Sequence, residues 1–402
     1  MREDVQDDMV PRLFQPLAMR DTLFRNRIVV SPMCQYSGED GRAGDWHLQH
    51  YGGLASSGPG LLMIEATAVT ETGRITKGCL GLYSDAGEAA MARLIGAVHL
   101  VAPDLPVGVQ LIHAGRKGSA TPPWDGGGPL SSGQGAWQTV SASARPFGPG
   151  WPPPAEANAA DMDAIGDAFA QAARRAVRAG AAVVEIHVAH GYLLHQFLSP
   201  IANQRADGFG GPLANRMRFP LAVIGKVRHA LPDDRIVGMR LSASDWIDGG
   251  ITLDDAIPFV DAAARAGIDY VCVSTGGISP DARIPLGPAY QSDFAAAIRR
   301  STGILTRTVG LITEPEQAEA LIAAGKADQI ALGRAFLNDP RWVWRAALTL
   351  GAPISSPRQY LAARHSPVSP AAVNIAPGTV ATTSTQPLPA APPPGQIVSA
   401  KG

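Results

Sequence analysis

The chain has 402 residues, 46% of them hydrophobic, and a formal net charge of −1. That is enough apolar material for a large core in one to three domains, and the near-zero charge supplies no field to attract nucleic acid or an anionic membrane. Three scattered cysteines, Cys34, Cys79 and Cys272, form no CxxC pair, no zinc spacing and no disulfide framework. The acidic, polar residues 1–10 lack the basic and apolar regions of a signal peptide. No stretch stays apolar long enough for a membrane helix, so a soluble, cytoplasmic protein is expected.

Short apolar runs recur along the chain at 27–31, 61–65, 107–112, 182–187, 235–240, 270–274, 305–309 and 329–333. Between them lie helix-length amphipathic stretches at 86–101, 161–179, 213–230, 253–266, 315–324 and 341–350. Strand–helix alternation of this kind predicts a parallel sheet with covering helices, and eight repeats fit a closed (β/α)8 TIM barrel. An open doubly wound sheet is the rival; it usually carries GxGxxG after its first strand. Here the first run leads instead into Ser31-Pro32-Met33-Cys34.

Two regions fall outside the repeat. Residues 118–158, after the third strand, are crowded with Gly and Pro and carry Trp124, Trp137 and Trp151. A loop of that length with three tryptophans predicts an ordered cap over the barrel mouth. Residues 365–402 are rich in Pro, Ala, Thr and Ser, a composition that predicts a disordered tail. The barrel domain is accordingly placed at 10–364.

A parallel barrel gathers its chemistry at the carboxyl ends of its strands. The richest of these ends is the fourth, where Glu185-Ile186-His187 breaks into a turn with His190 and Tyr192. Two imidazoles and a phenol at one point suit a reaction in which charge grows on a carbonyl oxygen while a neighbouring carbon takes a proton. A pair of core histidines with a packed tyrosine is the alternative. The other ends carry Ser31 to Tyr36, Glu65-Ala66-Thr67, Gln110 with His113 to Lys117, Arg240, Ser274 to Gly277, Gly310 and Gly333-Arg334.

Taken in order, these strand ends resemble the old yellow enzyme family of FMN-dependent ene-reductases, over roughly residues 10–364. Ser31-Pro32-Met33-Cys34 with Tyr36, and the cap segments 127–130 and 146–150, resemble its thermophilic-like bacterial branch, which includes the xenobiotic reductases. The resemblance implies FMN, with NADPH or NADH as reductant. It implies that Gln110 and Arg240 hold the flavin's pyrimidine edge and that Gly310, Gly333 and Arg334 hold its phosphate. Ser31, Pro32, Met33, Cys34 and Ala66 would line the ring. His187 and His190 would bind a substrate carbonyl beside Tyr36, and Tyr192, with an ordinary pKa of roughly 10, would protonate the α-carbon. The implied substrates are electron-poor alkenes such as α,β-unsaturated carbonyls. Nitro compounds and nitrate esters are the alternative on the same scaffold.

The resemblance also implies a homodimer or homotetramer, with no nucleic-acid or membrane partner and no metal. Some relatives extend an arginine from near the chain end into the neighbouring subunit. Here Ala362 stands at that place, and Arg358 and Arg364 flank it. Three other readings stay open: a Schiff-base lyase using Lys117, a metal-dependent hydrolase using His187 and His190, and a flavin-binding barrel without turnover.

Overall fold

A computed structural model describes residues 10–353 and 356–365. Eight parallel strands close into a barrel: β1 (Ile28–Val30), β2 (Leu61–Ala68), β3 (Val107–Ile112), β4 (Val183–Val188), β5 (Ile236–Ser242), β6 (Tyr270–Ser274), β7 (Leu305–Thr308) and β8 (Gln329–Leu332). Closure is made by β8 on β1, with Ile330 opposite Ile28 and Leu332 opposite Val30. Each strand is followed by a long helix: α1 (Asp45–Ala55), α2 (Asp85–Val101), α3 (Ala159–Arg178), α4 (Arg218–Ala230), α5 (Leu253–Arg265), α6 (Ser292–Thr302), α7 (Pro315–Ala323) and α8 (Trp342–Leu350). The chain forms the (β/α)8 barrel expected from its alternation, and all eight apolar runs are strands.

The strands read as near-continuous apolar runs because both faces are buried. The two faces separate with the period of two that a pleated strand requires. On β4, Val184, Ile186 and Val188 pack outward with the helices, whereas Val183 joins a second cluster inside the barrel. On β6, Val271 and Val273 face out, and Tyr270 and Cys272 face in. Following the inward positions upward leads from apolar residues to Glu185 and His187 on β4 and to Arg240 on β5. The backbone register sets His187 beside Arg240 and Arg240 beside Cys272.

Several parts of the fold lie outside the elements read from sequence. A hairpin, Leu17–Met19 with Thr22–Phe24, packs Met19 and Phe24 into the barrel's inner cluster. Helix α1 carries two glycines and two histidines and buries His47 and Tyr51 as well as Leu54 and Ala55. Helix α6 buries chiefly Ala295, Ala296 and Ile298. Helix α1 has no wide apolar stripe to make periodicity visible, and the buried face of α6 is short and built largely of alanine.

The cap between β3 and α3 is built from short 3-10 turns and a two-stranded parallel pair, Val140–Ser141 with Ala155–Glu156. Buried Arg116 holds it down, donating to the backbone oxygens of Arg145 (3.1 Å), Pro146 (3.2 Å) and Ile278 (2.9 Å). Trp137 donates to Thr72 O (2.9 Å) and lies under the Arg74 guanidinium. Trp151 meets Phe147 edge-on, while Trp124, two-thirds exposed, meets Tyr36. The expected tail lies outside the described residues from Ser366 onward, as does the side chain of Arg364; the side chain of Arg358 is exposed. Among the described residues no helix is long and apolar enough to cross a membrane.

Candidate active site

The turn after β4 is held from several sides. His190 sits at φ +57°, a left-handed conformation that costs a non-glycine residue about 1–3 kcal/mol. Its N–H donates to Ser242 Oγ (3.0 Å), and its carbonyl accepts from Lys117 Nζ (2.8 Å). Gly277, at φ +92°, lies so close that a Cβ there would come within 2.5 Å of the His190 Cα. Below the turn, His195 Nε2 lies 2.9 Å from Asp245 Oδ1, both side chains fully buried. Asp245 Oδ2 also accepts from Ser199 Oγ (2.6 Å) and Ile251 N (2.8 Å). That buried set fixes the segment bearing Tyr192 to the loop after β5.

His187 and His190 are packed together, with ring centroids 5.1 Å apart and Nε2 of the first 3.3 Å from Nδ1 of the second. Burial, and then the charge of Arg240, hold both imidazoles well below their ordinary pKa, so the pair is neutral. Tyr192 lies edge-on to His187, centroids 4.9 Å apart. Its phenol is not at the ordinary pKa expected from sequence. Burial raises it well above 10, and the hydroxyl keeps its proton. Lys117 is spent on structure: besides His190 O it donates to Gly277 O (3.1 Å), and it lies over the rings of Phe147 and Tyr192. Burial lowers its pKa to about 8, yet its donors are engaged by two carbonyl oxygens, an arrangement unlike a free Schiff-base amine.

Beside the pair opens a cleft of about 430 Å³. Ser31, Pro32, Met33, His190, Arg240, Gly310, Gly333 and Arg334 all line it, so the structure brings these expected residues to one place. The Arg240 Nε and the Ser31 Oγ are buried there with no hydrogen-bond partner among the described residues. Orphaned buried donors of this kind are costly unless a ligand satisfies them. At the far end Gly310, at φ +117°, has no room for a side chain: a Cβ would lie 2.5 Å from Gln291 Nε2. Gly333 does not share that constraint, since a Cβ there would meet nothing nearer than 3.6 Å. Arg334 is exposed at the cleft's edge.

Gln110 lies deeper and outside the cleft lining. Its Nε2 donates to Glu185 Oε1 (2.7 Å), and because a carboxylate only accepts, the amide orientation is fixed. Oε1 is then left without a partner among the described residues, an acceptor suited to an imide N–H. Glu185 Oε2 takes the Tyr270 hydroxyl (2.8 Å) and Arg307 Nη1 (3.2 Å). Arg307 also donates twice to Gln329 Oε1 and lies 4.2 Å over the Tyr270 ring. This charged plug in the barrel centre supports Gln110 from below. A guanidinium with no ion pair among the described residues, an oriented amide acceptor, a glycine-walled end and an arginine at the rim have the chemistry to hold the pyrimidine edge and phosphate of FMN.

Four other expected residues gather beside the cleft rather than in it. Ala66 belongs to an apolar cluster with Ile75, Cys79, Ile112 and Ala114, against which Cys34, Tyr36 and Tyr192 pack. Burial pushes the Cys34 thiol well above its ordinary pKa, so it is no thiolate nucleophile. Glu65 is fully buried, accepts from Gln35 N (2.9 Å) and lies beside the fully buried His47 (Nε2 to Oε1, 3.4 Å), bracing the Ser31 to Tyr36 loop. Among the described residues no three His, Cys, Asp or Glu side chains form a group that could hold a metal ion.

Sequence reasoning missed Gln291, His195, Asp245, Arg307 and His47. Gln291 lines the cleft from the start of α6 and the other four lie behind the site residues, so none stands at the carboxyl end of a strand. Arg307 alone gave a signal, as a cation inside an otherwise apolar strand.

Buried neutral histidines have a consequence for stability. His50 and His113 are held at about 4, mainly by burial, and His187 and His190 are also depressed. As pH falls through about 6.5 the unfolded chain takes up protons that the folded one refuses. The folded state therefore loses stability between pH 6.5 and 4. Thermal unfolding followed across that window is expected to show Tm falling steadily; a flat Tm would contradict neutral histidines at these sites.

A sequence profile described as the NADH:flavin oxidoreductase / NADH oxidase family matches residues 12–351. A NADPH dehydrogenase of Listeria innocua is 42% identical over 351 residues, covering 87% of this chain and 98% of that one. A NADPH dehydrogenase of Geobacillus thermodenitrificans is 42% identical over 352 residues, covering 87% and 97%. Among solved structures, morphinone reductase in complex with tetrahydroNAD superposes with a TM-score of 0.70 at 27% identity, covering 86% of this chain and 93% of that one.

Proposed function

The chain belongs to the NADH:flavin oxidoreductase / NADH oxidase family, the old yellow enzymes, and on that premise we propose that it reduces the C=C bond of α,β-unsaturated carbonyls and related electron-poor alkenes. Its cofactors are FMN and NAD(P)H. When bound, FMN would supply the hydride chemistry, with NAD(P)H as the reductant and the alkene's β-carbon as the acceptor. The observation that carries the reading is the meeting of a neutral histidine pair and a protonated tyrosine beside a cleft with an unpartnered arginine.

The chain's own residues divide the remaining work. Arg240 and Gln110 bind the pyrimidine edge, where the fixed positive charge favours the reduced ring. Gly310 gives the phosphate close access to backbone, with Gly333 and Arg334 alongside. Ser31, Pro32, Met33, Cys34 and Ala66 line the ring. The histidine pair binds the substrate's carbonyl oxygen and stabilises the enolate-like transition state, one such donor contributing about 2.7–4 kcal/mol in comparable oxyanion sites. Neutral imidazoles do this without presenting a full proton to the enolate. Tyr192, kept protonated by burial, gives its proton to the α-carbon and is refilled from solvent. Tyr36, edge-on to Trp124 of the cap, closes the alkene's side of the pocket. Assembly as a homodimer or homotetramer is part of the same proposal, and light scattering of the purified protein tests it.

Phenols imitate the enolate oxygen, so they report on the histidines directly. His187→Ala is expected to weaken phenol binding by at least tenfold, about one charge-assisted hydrogen bond, read from perturbation of the flavin spectrum. An unchanged Kd would remove His187 from the oxygen site.

A further inference from the structure

We propose that Trp124, together with Tyr36, forms an aromatic subsite at the mouth of the active site that takes a flat aryl substituent of the electron-poor alkene. Of the three tryptophans in the cap, two are engaged by their surroundings. Trp137 donates its indole N–H to Thr72 O (2.9 Å) under the Arg74 guanidinium, and half-buried Trp151 lies against Phe147. Trp124 is 66% exposed, and its indole N–H has no partner among the described residues. Its one ring contact there is with Tyr36, centroids 5.7 Å apart and planes at 74°.

A single exposed indole on a loose loop would call for no explanation. This one is held still. Pro122 and Pro123 lead into the 3-10 turn Pro123–Asp125, and Gly126 and Gly127, at φ +97° and +65°, bring the chain back. Asp125 N donates to Pro122 O (2.9 Å), as does Gly127 N (3.1 Å). The two arms are joined by Thr121 N to Gly128 O (2.8 Å) and Leu130 N to Ser119 O (2.7 Å). At the base, Ala120 N donates to Ile75 O (2.9 Å), which docks the hairpin on the segment after β2.

Tyr36 is fixed as firmly. It stands at φ +50°, and a Cβ on the neighbouring Gly78 would come within 2.2 Å of its carbonyl oxygen. The Gln35 N–H just before it is held by buried Glu65 (2.9 Å). Two rings on two braced loops are therefore set against each other before a ligand arrives. Such a preorganised aromatic wall receives a flat apolar group at little ordering cost.

The place of the wall selects what it receives. Tyr36 packs on the apolar cluster that also carries Tyr192, and neither Tyr36 nor Trp124 lines the cleft suited to FMN. The pair thus stands on the proton donor's side of the site, beside the alkene and not the flavin. Trp124, the more exposed of the two, extends that side toward solvent. An alkene held by its carbonyl oxygen at the histidines directs its other end away from them, and an aryl group on that end meets the aromatic pair.

The subsite rests on the ene-reductase reading for its substrate, but not for its capacity to bind an aryl ring. Phenol and 4-phenylphenol separate the two, since they share the enolate-like oxygen, differ by one ring and need no turnover. Each is titrated into the holoenzyme and read from the flavin spectrum. Trp124→Ala is expected to cut the wild-type preference for 4-phenylphenol over phenol by about tenfold, the scale of one aromatic contact and the apolar area it covers. Trp124→Phe, which keeps a ring, is expected to retain most of the preference. The KM ratio of 2-cyclohexenone to trans-cinnamaldehyde is expected to fall in the same order across the variants. An unchanged ratio of the two phenol Kd values in Trp124→Ala would overturn the proposal. So would an unchanged ratio with a lower mass by light scattering, which would assign the indole to an interface between copies. A wild-type protein that shows the phenol pattern but reduces neither alkene would sink the ene-reductase reading and leave the subsite standing.

Discussion

Tyr192→Phe is expected to slow reoxidation of the reduced enzyme by 2-cyclohexenone by about 10²–10⁴-fold, the usual contribution of a positioned general acid. Reduction by NADPH is expected to stay within about threefold of wild type, because it requires no proton from this residue. The phenylalanine keeps the ring that meets His187 edge-on and lies under Lys117, so the pocket's packing is preserved. The raised pKa of the phenol works in both directions here. It keeps the hydroxyl protonated across the working pH range, and it makes the proton less available than that of a free phenol until charge develops at the α-carbon. Stopped-flow measurement of each half-reaction checks the assignment; equal loss in both would remove Tyr192 as the acid.

Arg307→Met is expected to destabilise the fold by about 3–5 kcal/mol, the cost of leaving one member of a buried ion pair uncompensated. Glu185 is fully buried and its partner arginine only 1% exposed. Removing the guanidinium strips Glu185 of its cation and Gln329 Oε1 of two donors, and takes the charge off the Tyr270 ring. Weaker FMN retention should accompany the loss, since Gln110 is oriented by Glu185. Combining Arg307→Met with Glu185→Gln is expected to recover a substantial part of the stability, because the uncompensated charge disappears with its partner. Denaturant titration of the three variants checks this. A loss under about 1 kcal/mol for Arg307→Met would mean that the plug is solvated or otherwise paired.

Much of the barrel was legible because a strand buried on both faces reads as an apolar run, and eight such runs left little freedom. The N-terminal hairpin escaped notice because it is short and buries only Met19 and Phe24 in the inner cluster, with Leu17 packed against it. Helices α1 and α6 escaped because they bury small or polar side chains instead of an apolar stripe. At the site, strand-end residues could be read as a group since a parallel barrel delivers them to one face. What supports them could not. His195 on Asp245, His47 on Glu65 and Gln291 on Ser274 join positions far apart in sequence, and a contact of that kind leaves no periodic trace in the chain. The raised pKa of Tyr192 likewise arises from burial, which only three-dimensional packing supplies.

The most direct test of the central claim is an anaerobic absorbance spectrum of the purified holoenzyme, recorded before and after NADPH and again after 2-cyclohexenone. Oxidised flavin bands that bleach with NADPH and return with the enone are the expected result. Bands that bleach with NADPH and stay bleached with 2-cyclohexenone and a panel of other activated alkenes would contradict the ene-reductase reading while leaving the family assignment intact.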